Sequence, residues 1–223
     1  MLQGARHEHA EALYNAAMEL CVDIDVIPLR SEINNLDLKL DGLVLPGGES
    51  TTMRKASENH GLLLSIFSFI DNNPLIPILG TCAGAILLME PKMRNRSYID
   101  AKVNRNAYGR QKDSFQAKLT VSGLNIPPIV NQGIVISNII EGGHKPLAIN
   151  EQFELADKEF FPGIFIRAPK FTNIGSNIKK VVMDGEEVVG LMKENMLLLS
   201  FHPELTTDYR FHRWLLSKAK GNK

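Results

Sequence analysis

The chain has 223 residues, 44% hydrophobic and 22% charged, with Lys+Arg and Asp+Glu equal at 25 each. That length suits one sizeable domain, and the balanced charge offers no electrostatic ground for binding nucleic acid or an anionic membrane. No apolar run approaches the ~20 residues of a membrane span. The polar start MLQGARHEHAEAL lacks a signal-peptide core, and two cysteines, Cys21 and Cys82, make no disulfide framework, so a reducing, cytoplasmic setting is expected.

Residues 8–21 place Ala10, Leu13, Ala17 and Leu20 at helical spacing, with Ala16 and Cys21 widening the stripe, so Cys21 is expected in the core. CVDIDVIPLR reads as a short strand ending at Pro28. DGLVLPGGES reads as a buried strand stopped by Pro46-Gly47-Gly48. A helix carrying Leu62, Leu63, Ile66 and Phe67 precedes a second buried strand in NNPLIPILG, and CAGAILLM resumes as a helix. This alternation predicts an α/β fold with a parallel sheet covered on both faces. In the second half, SFQAKLTV and GIFIRAP read as strands, and VVMDGEEVVGLM as a hairpin turning at Asp184-Gly185. ENMLLLSFHPEL is a further apolar strand, followed by a helix starting near Thr206–Asp208 that buries Phe211, Trp214 and Leu215. No repeat or linker divides residues 1–223, which are read as one domain.

Three short motifs carry chemistry. Gly80-Thr81-Cys82-Ala83-Gly84 sits where a strand gives way to a helix, the arrangement of a nucleophile elbow with cysteine in place of serine. The glycines leave room for a sharp turn, the helix start favours thiolate, and backbone N–H groups are available to an oxyanion. An inert cysteine in a small-residue turn is the competing reading. His202, in Ser200-Phe201-His202-Pro203-Glu204 at the end of an apolar strand, is the best-placed base, with Glu204 near enough to orient its ring. An ordinary solvated turn is the alternative there. Leu45-Pro46-Gly47-Gly48-Glu49-Ser50-Thr51 either supplies N–H donors to a ligand or simply caps a helix with Ser50 or Thr51. His7 and His9 look like a metal pair but lack companion ligands, so they are expected to be exposed at a helix start. His60, His144 and His212 carry no signal.

LPGGEST, GTCAG and SFHPE, in that order, resemble the class I (triad-type) glutamine amidotransferases. Arg105-Asn106-Ala107-Tyr108-Gly109-Arg110-Gln111, Asp113-Ser114-Phe115 and Phe165-Ile166-Arg167-Ala168-Pro169 narrow the resemblance to the glutaminase subunits of pyridoxal 5′-phosphate synthase, the PdxT/Sno family. It implies a flavodoxin-like three-layer α/β/α sandwich with a mostly parallel central sheet. The implied reaction is hydrolysis of L-glutamine to L-glutamate and ammonia by Cys82, His202 and Glu204, with ammonia passing to a PdxS/Snz-type synthase subunit for vitamin B6 synthesis. Gly48, Glu49, Ser50, Arg105, Ile166 and Arg167 correspond to substrate-binding positions, and the N–H groups of Gly47, Gly48 and Ala83 to the oxyanion site. No metal or organic cofactor is implied for this half-reaction.

The chain departs from that pattern in three places. Family members begin with a strand reading roughly I-G-V-L-A before L-Q-G, whereas Met1-Leu2-Gln3-Gly4 begins at its end, which predicts two strand edges left unpaired. The interval from Ala85 to Asn104 is shorter than usual and lacks a glycine-leucine turn. An extra, aperiodic stretch at about 128–160 is either a lineage-specific insertion or translated intron-like sequence. Two rival functions follow: a non-catalytic binding subunit of the same complex, or a triad glutaminase serving another pathway such as histidine or purine synthesis.

Overall fold

The computed structural model describes residues 4–29, 39–58, 61–92, 97–105, 107, 114–131 and 160–221. Most of the 128–160 stretch therefore lies outside the described residues. Helix α1 (Arg6–Leu20) is followed by β1 (Leu43–Leu45), α2 (Ser50–Glu58), α3 (Leu62–Asn72), β2 (Ile78–Thr81) and α4 (Ala83–Met89). Then come β3 (Lys102–Asn104), β4 (Phe115–Val121), β5 (Phe161–Phe165), β6 (Lys170–Thr172), β7 (Lys179–Asp184), β8 (Glu187–Lys193) and β9 (Met196–Leu199). A 3-10 turn (Pro203–Leu205) and helix α5 (Arg210–Gly221) complete the described chain.

Seven strands form one sheet in the order β1-β2-β9-β8-β7-β4-β5, and β3 pairs with β6 separately. The β1–β2 and β2–β9 pairs are parallel, whereas the four remaining pairs of the large sheet are antiparallel. The α/β class is as expected, but the parallel character is confined to three strands. For two of those pairs the reason is local: β7 to β8 and β8 to β9 are joined by two-residue turns, which only antiparallel strands can accept. β3 and β6 have no counterpart in the sequence reading; their three-residue lengths give too little pattern to read.

Alternate residues of β2 and β9 point into opposite layers. Ile78 and Leu198 join α2, α3 and α4 in one apolar cluster with Met53, Leu63, Phe67 and Leu87. Leu79, Leu197 and Leu199 join Leu13 of α1 and Phe211, Trp214 and Leu215 of α5 in another. Helices thus cover both faces of the parallel strands. Cys21 is not in this core: it closes α1 with left-handed backbone (φ 53°), its N–H bonding back to the last turn, and its side chain is exposed.

Residues 22–29 form no strand, contrary to the expectation for CVDIDVIP. Their burial still alternates, with Val22, Ile24 and Val26 turned partly inward and Asp23, Asp25 and Ile27 outward. Between this segment and β1 lies a cavity of about 690 Å³, lined by Val22, Ile24, Val26, Leu43 and Val44 and, from the two helical layers, by Leu215 and Ile66. β1 has β2 on one side and, among the described residues, no strand on the other. A strand needs a ladder partner to exist as one, so the alternating pattern of residues 22–29 is present without the hydrogen bonds.

Candidate active site

The three parallel strands end at one level, because Gly80 of β2 stands opposite Leu45 of β1 and Leu198 of β9. Their continuations therefore converge: Gly47 after β1, Cys82 after β2 and His202 after β9. The carboxyl ends of parallel strands are where open α/β sheets gather their sites.

Cys82 is buried, with φ 45° and ψ −104°, a conformation that a side-chain-bearing residue adopts only when its surroundings impose it. Two hydrogen bonds impose it here. The Cys82 N–H bonds the Leu199 carbonyl at 2.8 Å, tying the turn to β9, and the Cys82 carbonyl accepts from Ile86 in α4 at 3.2 Å. Gly84 lets α4 approach β1, since a Cβ there would fall onto the Leu45 carbonyl oxygen. The thiol is left facing the Ile166 carbonyl at 4.0 Å, and His202 packs beside Cys82 across Gly47.

His202 Nδ1 lies 2.8 Å from Glu204 Oε1, and both side chains are buried. Glu204 is acceptor-only when ionised, so Nδ1 donates and Nε2 is the nitrogen that can exchange a proton with the thiol. Burial alone pulls the His202 pKa down, but the Glu204 charge, the neighbouring Cys82 and the hydrogen bond to Glu204 raise it well above the ordinary value. Burial opposes the Glu204 charge in turn, yet His9 and His202 beside it bring its pKa down to about 2. Gly47 packs on this pair: a Cβ there would stand 2.5 Å from His202 Cε1 and 3.5 Å from Cys82 Cβ. Only a residue without a side chain lets the diglycine turn sit that close.

The remaining predicted positions are less tightly gathered. Gly48 is exposed with φ 150°, a value that suits glycine. Glu49 turns its carboxylate onto the start of α2, accepting from the Thr51 N–H at 2.9 Å, the Thr52 N–H at 2.6 Å and the Thr52 hydroxyl at 2.6 Å. Those bonds lower its pKa to about 2. Ser50, buried, opens α2. Arg105 pairs with Glu90, and Arg167 is exposed with φ 45°. Ile166 meets the thiol through its carbonyl. Ala83 follows Cys82 as the first residue of α4.

Two histidines depart from the sequence reading. His9 is not exposed but 3% accessible, and His212 is fully buried. His9 Nδ1 lies 3.0 Å from His212 Nε2, while His9 Nε2 lies 3.0 Å from Thr81 Oγ1 and 3.3 Å from Glu204 Oε2. A signal for His9 exists. With Ala12, Leu13, Ala16 and Ala17 it completes an i, i+3, i+4, i+7, i+8 stripe, and all five are buried in α1. The stripe runs through His9, not through Ala10 and Leu20, because a polar partner waits beneath it.

The chain matches the sequence profile of the SNO glutamine amidotransferase family over residues 1–154 and 143–220. The overlap falls inside the 128–160 stretch. This protein belongs to that family. It is 36% identical over 227 residues to "Pyridoxal 5'-phosphate synthase subunit PdxT" of Thermococcus onnurineus, covering 98% of this chain and 95% of the relative. It is 32% identical over 226 residues to the protein of the same name in Bacillus mycoides, covering 100% and 93%. A crystal structure of a glutamine amidotransferase superposes with TM-score 0.70 at 31% identity, covering 98% of this chain and 96% of that one. A glutamine amidotransferase from Thermotoga maritima shares the fold at TM-score 0.51 and 16% identity, over 94% and 76% of the two chains. Among the described residues no helix is long and apolar enough to cross a membrane.

Proposed function

We propose that this SNO-family chain hydrolyses L-glutamine to L-glutamate and ammonia through Cys82, His202 and Glu204. The observation that carries this reading is a buried thiol and a buried imidazole packed against the same glycine, Gly47, with the imidazole Nδ1 held by a buried carboxylate. His202 takes the thiol proton at Nε2 as Cys82 attacks the side-chain carboxamide carbon. The tetrahedral intermediate carries its negative oxygen towards the N–H groups of Ala83 and the Gly47–Gly48 turn. His202 returns the proton to the departing nitrogen, ammonia leaves, and a γ-glutamyl thioester remains on Cys82. Water, deprotonated by the same imidazole, releases glutamate and frees the thiol. Glu204 stabilises the imidazolium in both halves. The route draws on no metal or organic cofactor.

Gly48, Glu49, Ser50, Arg105, Ile166 and Arg167 are the positions we assign to glutamine. Glu49 shapes that wall through its backbone, its carboxylate being committed to α2. Arg105 has more N–H donors than its Glu90 partner uses, which suits a substrate carboxylate. The PdxT relatives, named as subunits of pyridoxal 5′-phosphate synthase, support a cytoplasmic glutaminase domain whose ammonia goes to a PdxS/Snz-type synthase subunit. They weigh against service in another pathway.

The test mixes the full chain with that synthase subunit and follows glutamate release from glutamine. Wild type is expected to turn over and Cys82→Ala to lose at least about 10³-fold. Turnover that survives Cys82→Ala overturns the mechanism. The edge of β1 that has no strand partner among the described residues motivates a second reading, a subunit that docks without hydrolysing, which predicts no glutamate release by wild type with its partner present.

A further inference from the structure

Glu204 has two carboxylate oxygens, and the triad uses one. Oε1 accepts from His202. Oε2 is fully buried, and no described residue makes a hydrogen bond to it. The group facing it is His9 Nε2, at 3.3 Å, delivered from α1. The same nitrogen is 3.0 Å from Thr81 Oγ1, on the residue before the nucleophile. Behind it, His9 Nδ1 meets His212 Nε2 of α5 at 3.0 Å.

These contacts choose one set of tautomers. A lone pair on His9 Nε2 would point at an anionic oxygen, so Nε2 carries the proton, bonding it to Thr81 Oγ1 with its positive end 3.3 Å from Glu204 Oε2. His9 Nδ1 is then an acceptor, and His212 Nε2–H donates to it. His212 Nδ1 is left as a bare nitrogen, in agreement with its having no hydrogen-bond partner among the described residues. Burial lowers the pKa of both rings, His212 to about 3, so the pair is neutral near pH 7 and acts through its N–H dipoles.

Resting on the triad reading above, we infer that His9, backed by His212, is a positioning residue: it holds the second oxygen of Glu204 so that the first stays aligned on His202. His9 touches neither thiol nor substrate in this role. The charged or titratable neighbours are Glu204, His202 and Glu8 around His9, Glu204, His9 and Arg213 around His212, and Glu204 and Cys82 around His202.

Two variants test this in the full chain with the synthase subunit present. His9→Gln places an amide N–H where Nε2 stood, whereas His9→Asn offers one only near Nδ1. His9→Asn is expected to lower kcat roughly 10- to 100-fold with KM within about twofold. It should also move the His202 titration down by about one pH unit, followed by NMR of 13C-histidine protein without partner and assigned through His202→Asn. His9→Gln is expected to keep kcat within about threefold and leave that titration in place. Unchanged kcat and His202 titration in His9→Asn overturn the inference, as does equal damage by both variants when both melt near wild type. If only His9→Gln folds, a shifted His202 titration in that variant overturns it. The NMR readout stands apart from the glutaminase reading, which fails instead if Cys82→Ala still releases glutamate.

Discussion

Two sides of β1 are built differently. On the β2 side, three strands in register, two helical layers and a chain of buried polar contacts hold Cys82 and His202 in place. On the other side, β1 ends against a cavity of about 690 Å³, and residues 22–29 lie beyond it without a ladder. Both sides are lined by the same kind of residue, Val, Ile and Leu. Apolar pattern alone therefore does not make a sheet; backbone hydrogen bonds to a neighbour do, and among the described residues only one side of β1 has them.

The contrast has measurable consequences. Leu198, fully buried between the layers, is expected to cost about 2–5 kcal/mol on truncation to Ala, read from urea unfolding. Val26→Ala, on the cavity side and only partly buried, should cost under about 1 kcal/mol in the same assay. Equal losses would mean that the two sides are packed alike. Gly47→Ala should push the His202 ring aside and lower kcat by about 10²-fold, with a much smaller change in melting temperature.

The smallest effect expected is a pH dependence. His212 binds its proton far more weakly folded than unfolded, so the unfolded chain takes up the proton first as pH falls below about 6.5. Its contribution to stability is lost progressively from there towards pH 3. His9, also lowered, acts in the same direction. The triad runs otherwise: Glu204 stabilises above its unfolded pKa and less as pH drops towards 2, while His202 stabilises fully below 6.5 and loses this through its raised pKa. His212→Phe should accordingly flatten the fall in melting temperature between pH 7 and pH 5. An unchanged slope would mean that His212 is not the group responsible.

Much of the frame is legible in sequence. The strand-turn-helix at GTCAG, the apolar strand before FHPE, the Asp184-Gly185 hairpin and the final helix with Phe211, Trp214 and Leu215 all lie where local pattern puts them. These features depend on neighbours within a few positions, where glycine geometry and apolar periodicity act directly. Four features do not yield to such reading. Cys21 is exposed because helix closure, not apolarity, sets its direction. Residues 22–29 form no strand because their pairing depends on a neighbour that the local pattern does not reveal.

The other two are the most instructive. Among the described residues the sheet is parallel only over three strands, and two-residue turns commit β7, β8 and β9 to antiparallel pairing with one another. His9 and His212, 203 positions apart, meet only because α1 and α5 pack side by side over the ends of β2 and β9. Sequence sufficed to nominate a nucleophile, its base and the carboxylate two residues on, because each sits in a short motif. That the carboxylate's second oxygen is buried against His9 was decided by packing, because a histidine's role follows from what it faces and not from what precedes it in the chain.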